Sequence, residues 1–197
     1  MNADDIDAAA RRLFTDARTC SRWLPQAVDD ALLRELYRLA SLGPTSMNSQ
    51  PMRLQFAVSA AARERLAACV NPGNVDKVRS APVVAIVGQD LAFVEQLAVL
   101  FAHKTDARSY YDGKPDVVAS TALRNSSLQG GYLILAARLL GLDCGPMSGF
   151  DAARVDREFW AGSTVRTNFL CALGQGDRTA LRERPPRLAF EQACAIV

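Results

Sequence analysis

Residues 116–151 read DVVASTALRNSSLQGGYLILAARLLGLDCGPMSGFD, and the order of features in this stretch decides the fold. Residues 116–140 read as one long helix of roughly seven turns at 3.6 residues per turn. Gly141 ends it. A strand follows at about 142–147, and a glycine-rich turn leads into a helix at 151–160, with Asp151 as its N-cap. Gly130-Gly131 and Ala136-Ala137 make the long helix rich in small residues, so it is expected to be central and closely packed.

Moving outward, a last strand falls at 165–173. Upstream, residues 82–88 (Pro-Val-Val-Ala-Ile-Val-Gly) form a short β-branched run, the mark of a strand buried on both faces. Residues 53–58 alternate like a half-buried strand. Helices are expected at 4–14, at 60–70, at 91–101, and after an Asp29 cap, where Leu32, Leu33, Leu36, Leu39 and Ala40 form an apolar stripe. Residues 102–115 are polar and aromatic and read as a loop or lid. The pattern is α+β, with strands spread between helices.

The chain has 197 residues, which suits one domain over 1–197. Its 49% hydrophobic and 22% charged residues allow a sizeable core. A net charge of +2, from 23 Lys and Arg against 21 Asp and Glu, is too balanced for a nucleic-acid partner. The N-terminus is acidic rather than basic-then-apolar, and no stretch is long enough to span a bilayer, so a cytoplasmic protein without a membrane partner is expected. The five cysteines have no C-x-x-C spacing, and with His103 as the one histidine no metal site is expected. There is no G-x-G-x-x-G opening a helix, no P-loop, no G-x-S-x-G and no H-E-x-x-H.

Five segments carry polar chemistry outside these patterns. Arg18-Thr19 places a guanidinium and a hydroxyl near a helix end, a fair anion cradle. Gly43-Pro44-Thr45-Ser46-Met47-Asn48-Ser49-Gln50-Pro51 packs short donors and acceptors between two prolines. Asn74-Val75-Asp76-Lys77 precedes the buried strand. Gly145-Pro146-Met147-Ser148-Gly149-Phe150-Asp151 offers free backbone N–H groups. Arg182-Glu183-Arg184-Pro185-Pro186-Arg187 is an extended cationic strip. Singly, each reads equally as a solvated turn, cap or tail.

Together and in this order they resemble the nitroreductase family of flavoproteins. Arg18-Thr19 is similar to the family's Arg-Ser phosphate motif, and Pro44-Thr45-Ser46-x-Asn48-x-Gln50-Pro51 to its Pro-Ser-Ser-x-Asn-x-Gln-Pro loop. Asn74-x-x-Lys77 stands where the family meets the flavin pyrimidine. Pro146-Met147-Ser148-Gly149-Phe150-Asp151 resembles the Pro-x-x-Gly-Phe-Asp turn, and Arg182-x-Arg184 the C-terminal phosphate clamp. Within the family, Phe14-Thr15-Asp16-Ala17-Arg18-Thr19, Gly43-Pro44-Thr45-Ser46, Arg124-Asn125-Ser126-Ser127, Gly145-Pro146-Met147-Ser148-Gly149-Phe150-Asp151 and Ala161-Gly162-Ser163-Thr164 look like the malonic semialdehyde reductase branch of pyrimidine degradation. Ser21 departs from a second Arg common in the family, and Ser148 from an acidic residue.

The resemblance implies a mainly antiparallel sheet flanked by helices, with the long helix at a homodimer interface and FMN bound there. Arg18, Thr19, Arg182 and Arg184 would hold the phosphate, Asn74 and Lys77 the pyrimidine. Pro44, Thr45, Ser46 and Asn48 would come from the other subunit, and the N–H of Gly149 would approach flavin N5, with Ser148 beside it in the cofactor site. It also implies a ping-pong NAD(P)H oxidoreductase, NADH or NADPH reducing FMN before an aldehyde, nitro or quinone acceptor takes the hydride. The branch implies malonic semialdehyde as acceptor and 3-hydroxypropionate as product. The alternatives are a general nitroreductase or quinone reductase, and a non-catalytic flavin-binding regulatory protein. No side chain is assigned as a general acid. Arg108 is the candidate for a substrate carboxylate. The plain alternative is an ion pair of Arg108 with Asp106 or Asp112.

Overall fold

The structure is a computed structural model describing residues 2–197. Its helices are α1 (Ala3–Ala10), α2 (Asp30–Ala40), α3 (Ala60–Ala67), α4 (Val75–Ser80), α5 (Leu97–Leu100), α6 (Pro115–Leu139), α7 (Ala152–Phe159) and α8 (Phe190–Ala193). Strands β1 (Met52–Ala57), β2 (Val83–Asp90), β3 (Asp143–Met147) and β4 (Val165–Gly174) form one sheet in the order β1-β2-β4-β3. Every neighbouring pair is antiparallel. No described helix is long and apolar enough to cross a membrane.

The period-two geometry of a strand sorts β2 between two cores. Val84 and Ile86 point to one side, where they join Leu66 of α3, Val78 of α4 and Val155 of α7. Val83, Ala85 and Val87 point to the other, against Leu33 and Leu36 of α2 and Leu133 and Ala137 of α6. All five of these β2 side chains are fully buried, as the β-branched run predicts. Each of the valine and isoleucine side chains among them contributes about 1.5–3 kcal/mol by leaving water.

Local chemistry sets the ends of several helices. Asp29 accepts from the N–H of Leu32 at 2.7 Å, and Asp151 from that of Arg154 at 3.0 Å. Beyond α6, Gly141 N donates to Arg138 O at 3.0 Å and Leu142 N to Ala137 O at 2.8 Å, which closes the helix in a Schellman motif. Inside α6, a Cβ on Gly130 would come within 2.5 Å of the Phe169 ring, whereas one on Gly131 would meet nothing within 4 Å. Gly130 therefore serves packing against the sheet, and Gly131 opens on the outer face.

Three elements differ from the sequence expectation. The helix expected at 4–14 is α1 followed by a π-helical turn, Arg11–Thr15, and neither part buries a side chain. The helix expected at 91–101 divides into a 3-10 turn at Phe93–Gln96 and the single turn of α5. The loop expected at 102–115 contains a 3-10 turn, Ala107–Tyr111, anchored because Ala107 and Tyr111 are buried beside Phe93 and Ala122.

Candidate active site

The two arginine segments meet although 164 residues separate them: Arg18 Nη2 donates to Arg182 O. Arg184 Nη2 donates to Thr15 O at 2.7 Å and Ala17 O at 2.8 Å. Thr19 forms a parallel bridge with Cys144, which lays the N-terminal segment along β3. The result is a cavity of about 500 Å³ whose lining includes Arg18, Thr19, Arg138, Arg182, Arg184 and Arg187, with Glu183 as its one acidic residue. The sequence reading missed Arg138, which lies in the last turn of α6 and looked like a helix-end cation.

The second group forms at the far end of β3. Asn74, which N-caps α4, donates from Nδ2 to Gly149 O at 2.9 Å, and Asn71 N reaches the same carbonyl at 3.0 Å. A Cβ on Gly149 would stand 2.7 Å from Asn74 Nδ2, so only glycine allows this approach. Among the described residues the Gly149 N–H has no protein acceptor. Ser148 beside it is exposed. Lys77 lies one helical turn beyond Asn74, half-buried and without a carboxylate partner among the described residues. Burial pulls its ammonium below the ordinary lysine range, against a smaller opposing effect of the Cys171 and Cys20 thiols.

The third group is the loop 44–51. Met47, Asn48 and Gln50 adopt φ of 52°, 48° and 40°. Asparagine tolerates this region, but for Met47 and Gln50 the strain costs on the order of 1–3 kcal/mol each. Ser49 Oγ is buried there without a partner. What holds the strain is a buried polar face of α6. Asn125 Oδ1 accepts from Ser46 N at 2.8 Å, and Gln129 Oε1 from Met52 N at 3.0 Å. Arg53, paired with Asp90 at 2.7 Å, donates to Gln50 O at 3.0 Å. Asn48 Nδ2 reaches Leu100 O at 2.9 Å, and Thr45 Oγ1 accepts from Gln50 N at 3.2 Å. The signal for Asn125 and Gln129 was present as two amides four apart on the inner face of an apolar helix.

Residues 102–115 lean on this loop, with Tyr111 Oη 3.8 Å from Met47 Sδ. The partner of Arg108 is Glu95, at 2.7 Å, rather than Asp106 or Asp112, and both side chains are exposed. His103 packs on Phe101, ring centroids 4.0 Å apart.

Strand register separates the groups. Met147 at the end of β3 aligns across the sheet with Leu170, Ile86 and Gln55. Three strand spacings make about 14 Å. The loop 44–51 enters β1 at Met52, beyond Gln55 on that opposite edge. Arg18, Thr19, Arg182 and Arg184 thus form one cluster, Asn74, Lys77, Ser148 and Gly149 a second beyond the end of β3, while Pro44, Thr45, Ser46 and Asn48 stand apart. The outer face of α6 exposes Leu123, Leu128, Tyr132 and Leu139. A hollow of about 660 Å³ runs along it beside Arg124, Ser127, Gly131 and Leu135.

This architecture is the nitroreductase fold. Nitroreductase ydfN of Bacillus subtilis, provisionally so named, superposes with a TM-score of 0.89 at 22% identity, covering 97% of this chain and 100% of that one. A nitroreductase of Exiguobacterium sibiricum in complex with FMN, also provisionally named, gives 0.84 at 19% identity, over 100% and 98%. Residues 15–174 match the model of the Nitroreductase family. A Stutzerimonas stutzeri (strain A1501) protein, provisionally named NADH dehydrogenase/NAD(P)H nitroreductase, is 52% identical over 196 residues, 100% of each chain. HadB of Ralstonia pickettii, of the same provisional name, is 52% identical over 186 residues, covering 93% of this chain and 95% of its own. The chain belongs to the Nitroreductase family.

Proposed function

We propose that the chain, as one domain, is an FMN-dependent NAD(P)H oxidoreductase that works as a homodimer, each flavin held between two protomers. The observation that carries this reading is the convergence of Arg18, Arg182 and Arg184 on one cavity. The provisional names of the relatives support it.

The residues fit the cofactor. A cavity walled by guanidiniums suits a terminal phosphate, because charge-assisted bonds to phosphate are short and strong. Asn74 and Lys77 supply an amide and an ammonium for a pyrimidine edge, and the unpaired N–H of Gly149 supplies a further donor beside Asn74. When bound, FMN supplies hydride acceptance from NADH or NADPH and hydride donation to a second substrate. Thr45, Ser46 and Asn48 belong, on this reading, to the partner's site, because they stand across the sheet from Gly149. The apolar outer face of α6 and the exposed Leu188, Phe190 and Ile196 of the C-terminal segment are the surfaces that would meet in the dimer.

Lys77 gives one expected result. Its ammonium is partly desolvated without an acidic partner. Lys77→Met should therefore leave the flavin-free thermal midpoint unchanged or raised, while weakening FMN binding several-fold. A lowered midpoint with unchanged FMN affinity would assign Lys77 a purely structural role.

For the acceptor, the branch motifs favour a short aldehyde bearing a carboxylate, malonic semialdehyde giving 3-hydroxypropionate. Arg108 is the residue proposed for the carboxylate. Its exposed pair with Glu95 is of a kind worth about 0–1 kcal/mol, so exchange of one carboxylate for another costs little. Arg108→Ala should lower kcat/KM for this aldehyde by roughly one to two powers of ten and change a nitroarene far less. Equal losses on both would leave Arg108 a shaping role only. The absence of aldehyde turnover in the parent would favour a general nitroreductase, the reading closer to the relatives' names.

A further inference from the structure

Arg138 stands in the wall between two cavities. One is the arginine-lined cavity already described; the other, of about 750 Å³, lies under α1 beside Asp7, Arg12 and Asp143. Arg138 Nη1 donates to Leu13 O at 2.7 Å, and Arg138 O accepts from Arg12 Nε at 3.0 Å. Its Nε is buried without a partner, and among the described residues Nη2 makes no hydrogen bond. Asp143, the nearby carboxylate, is taken by Arg178 at 3.0 Å. A half-buried guanidinium with five donors and one acceptor is poorly satisfied, and its neighbours across the cavity are further arginines.

The carbonyls at the end of the N-terminal helix all point to the same device. Leu13 O takes Arg138, Thr15 O and Ala17 O take Arg184, and Asp16 O takes Arg178 at 3.3 Å. Since α1 and the π-helical turn bury no side chain, the segment is held to the body through these guanidiniums together with Arg12 Nε on Arg138 O. Two of the three, Arg138 and Arg184, line the arginine cavity.

We propose that Arg138 is a ligand of the cofactor phosphate, and that through Arg138 and Arg184 phosphate binding fastens the N-terminal segment. The inference rests on the flavoprotein reading above. A dianion between the arginines removes their mutual repulsion and holds them where they grip the carbonyls of residues 13–17. A ligand that binds the docked form stabilises it by linkage. No covalent step is involved.

Riboflavin, which lacks the phosphate, separates this role from a structural one. FMN and riboflavin are titrated into the full chain by flavin fluorescence, for the parent, Arg138→Met and Arg138→Lys. Arg138→Met should weaken FMN about tenfold, leave riboflavin within about twofold, and Arg138→Lys should recover part of the loss. Hydrogen exchange at amides 11–17 should slow with FMN but not riboflavin in the parent, and slow less with FMN in Arg138→Met, where Arg184 alone remains to grip the segment. Unchanged FMN affinity in Arg138→Met, equal falls for both flavins, or equal FMN protection in parent and variant would overturn the proposal. A parent that binds neither flavin would overturn the flavoprotein reading itself.

Discussion

Arg184→Ala is expected to weaken FMN binding by roughly ten- to a hundredfold, the worth of one charge-assisted hydrogen bond of about 1.5–3 kcal/mol. Arg184 uses Nη2 for the carbonyls of Thr15 and Ala17, which leaves Nη1 and Nε without protein acceptors among the described residues. Arg184 lines the cavity together with Arg18 and Arg182. The same substitution strips two carbonyls of their donor, so residues 11–17 should become more open to proteolysis. Riboflavin affinity should be largely kept. A fluorescence titration in which FMN and riboflavin bind the variant as they bind the parent would remove Arg184 from the phosphate site.

Asn125→Leu should have an effect of similar size by a different route. Asn125 is 2% exposed, and its Oδ1 is the acceptor for Ser46 N. Leucine nearly matches its shape and strands that donor, which costs about 1–3 kcal/mol. In a chain of this size each kcal/mol lowers Tm by about 2–4 °C. The cost falls on the loop whose Met47 and Gln50 are already in left-handed backbone. If that loop completes the partner's flavin site, apparent FMN affinity falls with the population of its competent form, roughly five- to a hundredfold. A lower Tm with unchanged FMN affinity would separate the loop from the flavin. Gln129→Leu, which strands Met52 N instead, provides the parallel case.

The features legible in the sequence are those written in local pattern. The β-branched run of β2, the long uninterrupted α6 and the Asp29 and Asp151 caps each depend on residues within a few positions of one another. The features missed depend on contacts between distant segments. The end of the N-terminal helix is set by Arg138, Arg178 and Arg184, more than 100 residues away, and no periodicity near residue 11 encodes that. Glu95 as the partner of Arg108 is likewise a product of how the 3-10 turns at Phe93–Gln96 and Ala107–Tyr111 pack. The motif residues were visible, and the resemblance assigned the 44–48 residues to the other subunit, but no local pattern encodes how far these groups stand apart within one protomer. That follows from the β1-β2-β4-β3 order, which places the loop before β1 and the turn after β3 on opposite edges.

The central claim is that one flavin site is assembled from two protomers, and mixed dimers test it most directly. Arg182→Glu reverses a cavity charge whose side chain makes no protein hydrogen bond among the described residues, and Ser46→Trp fills the loop at an exposed position. Each variant alone should purify without FMN. Co-expressed with different tags and selected for both, they should form mixed dimers in which one site carries both lesions and the other carries neither, as two-fold symmetry requires. The account predicts about one FMN for each mixed dimer, with NAD(P)H oxidation restored in proportion. Mixed dimers as empty of flavin as either parent variant would mean that each site lies within a single protomer, and would contradict it.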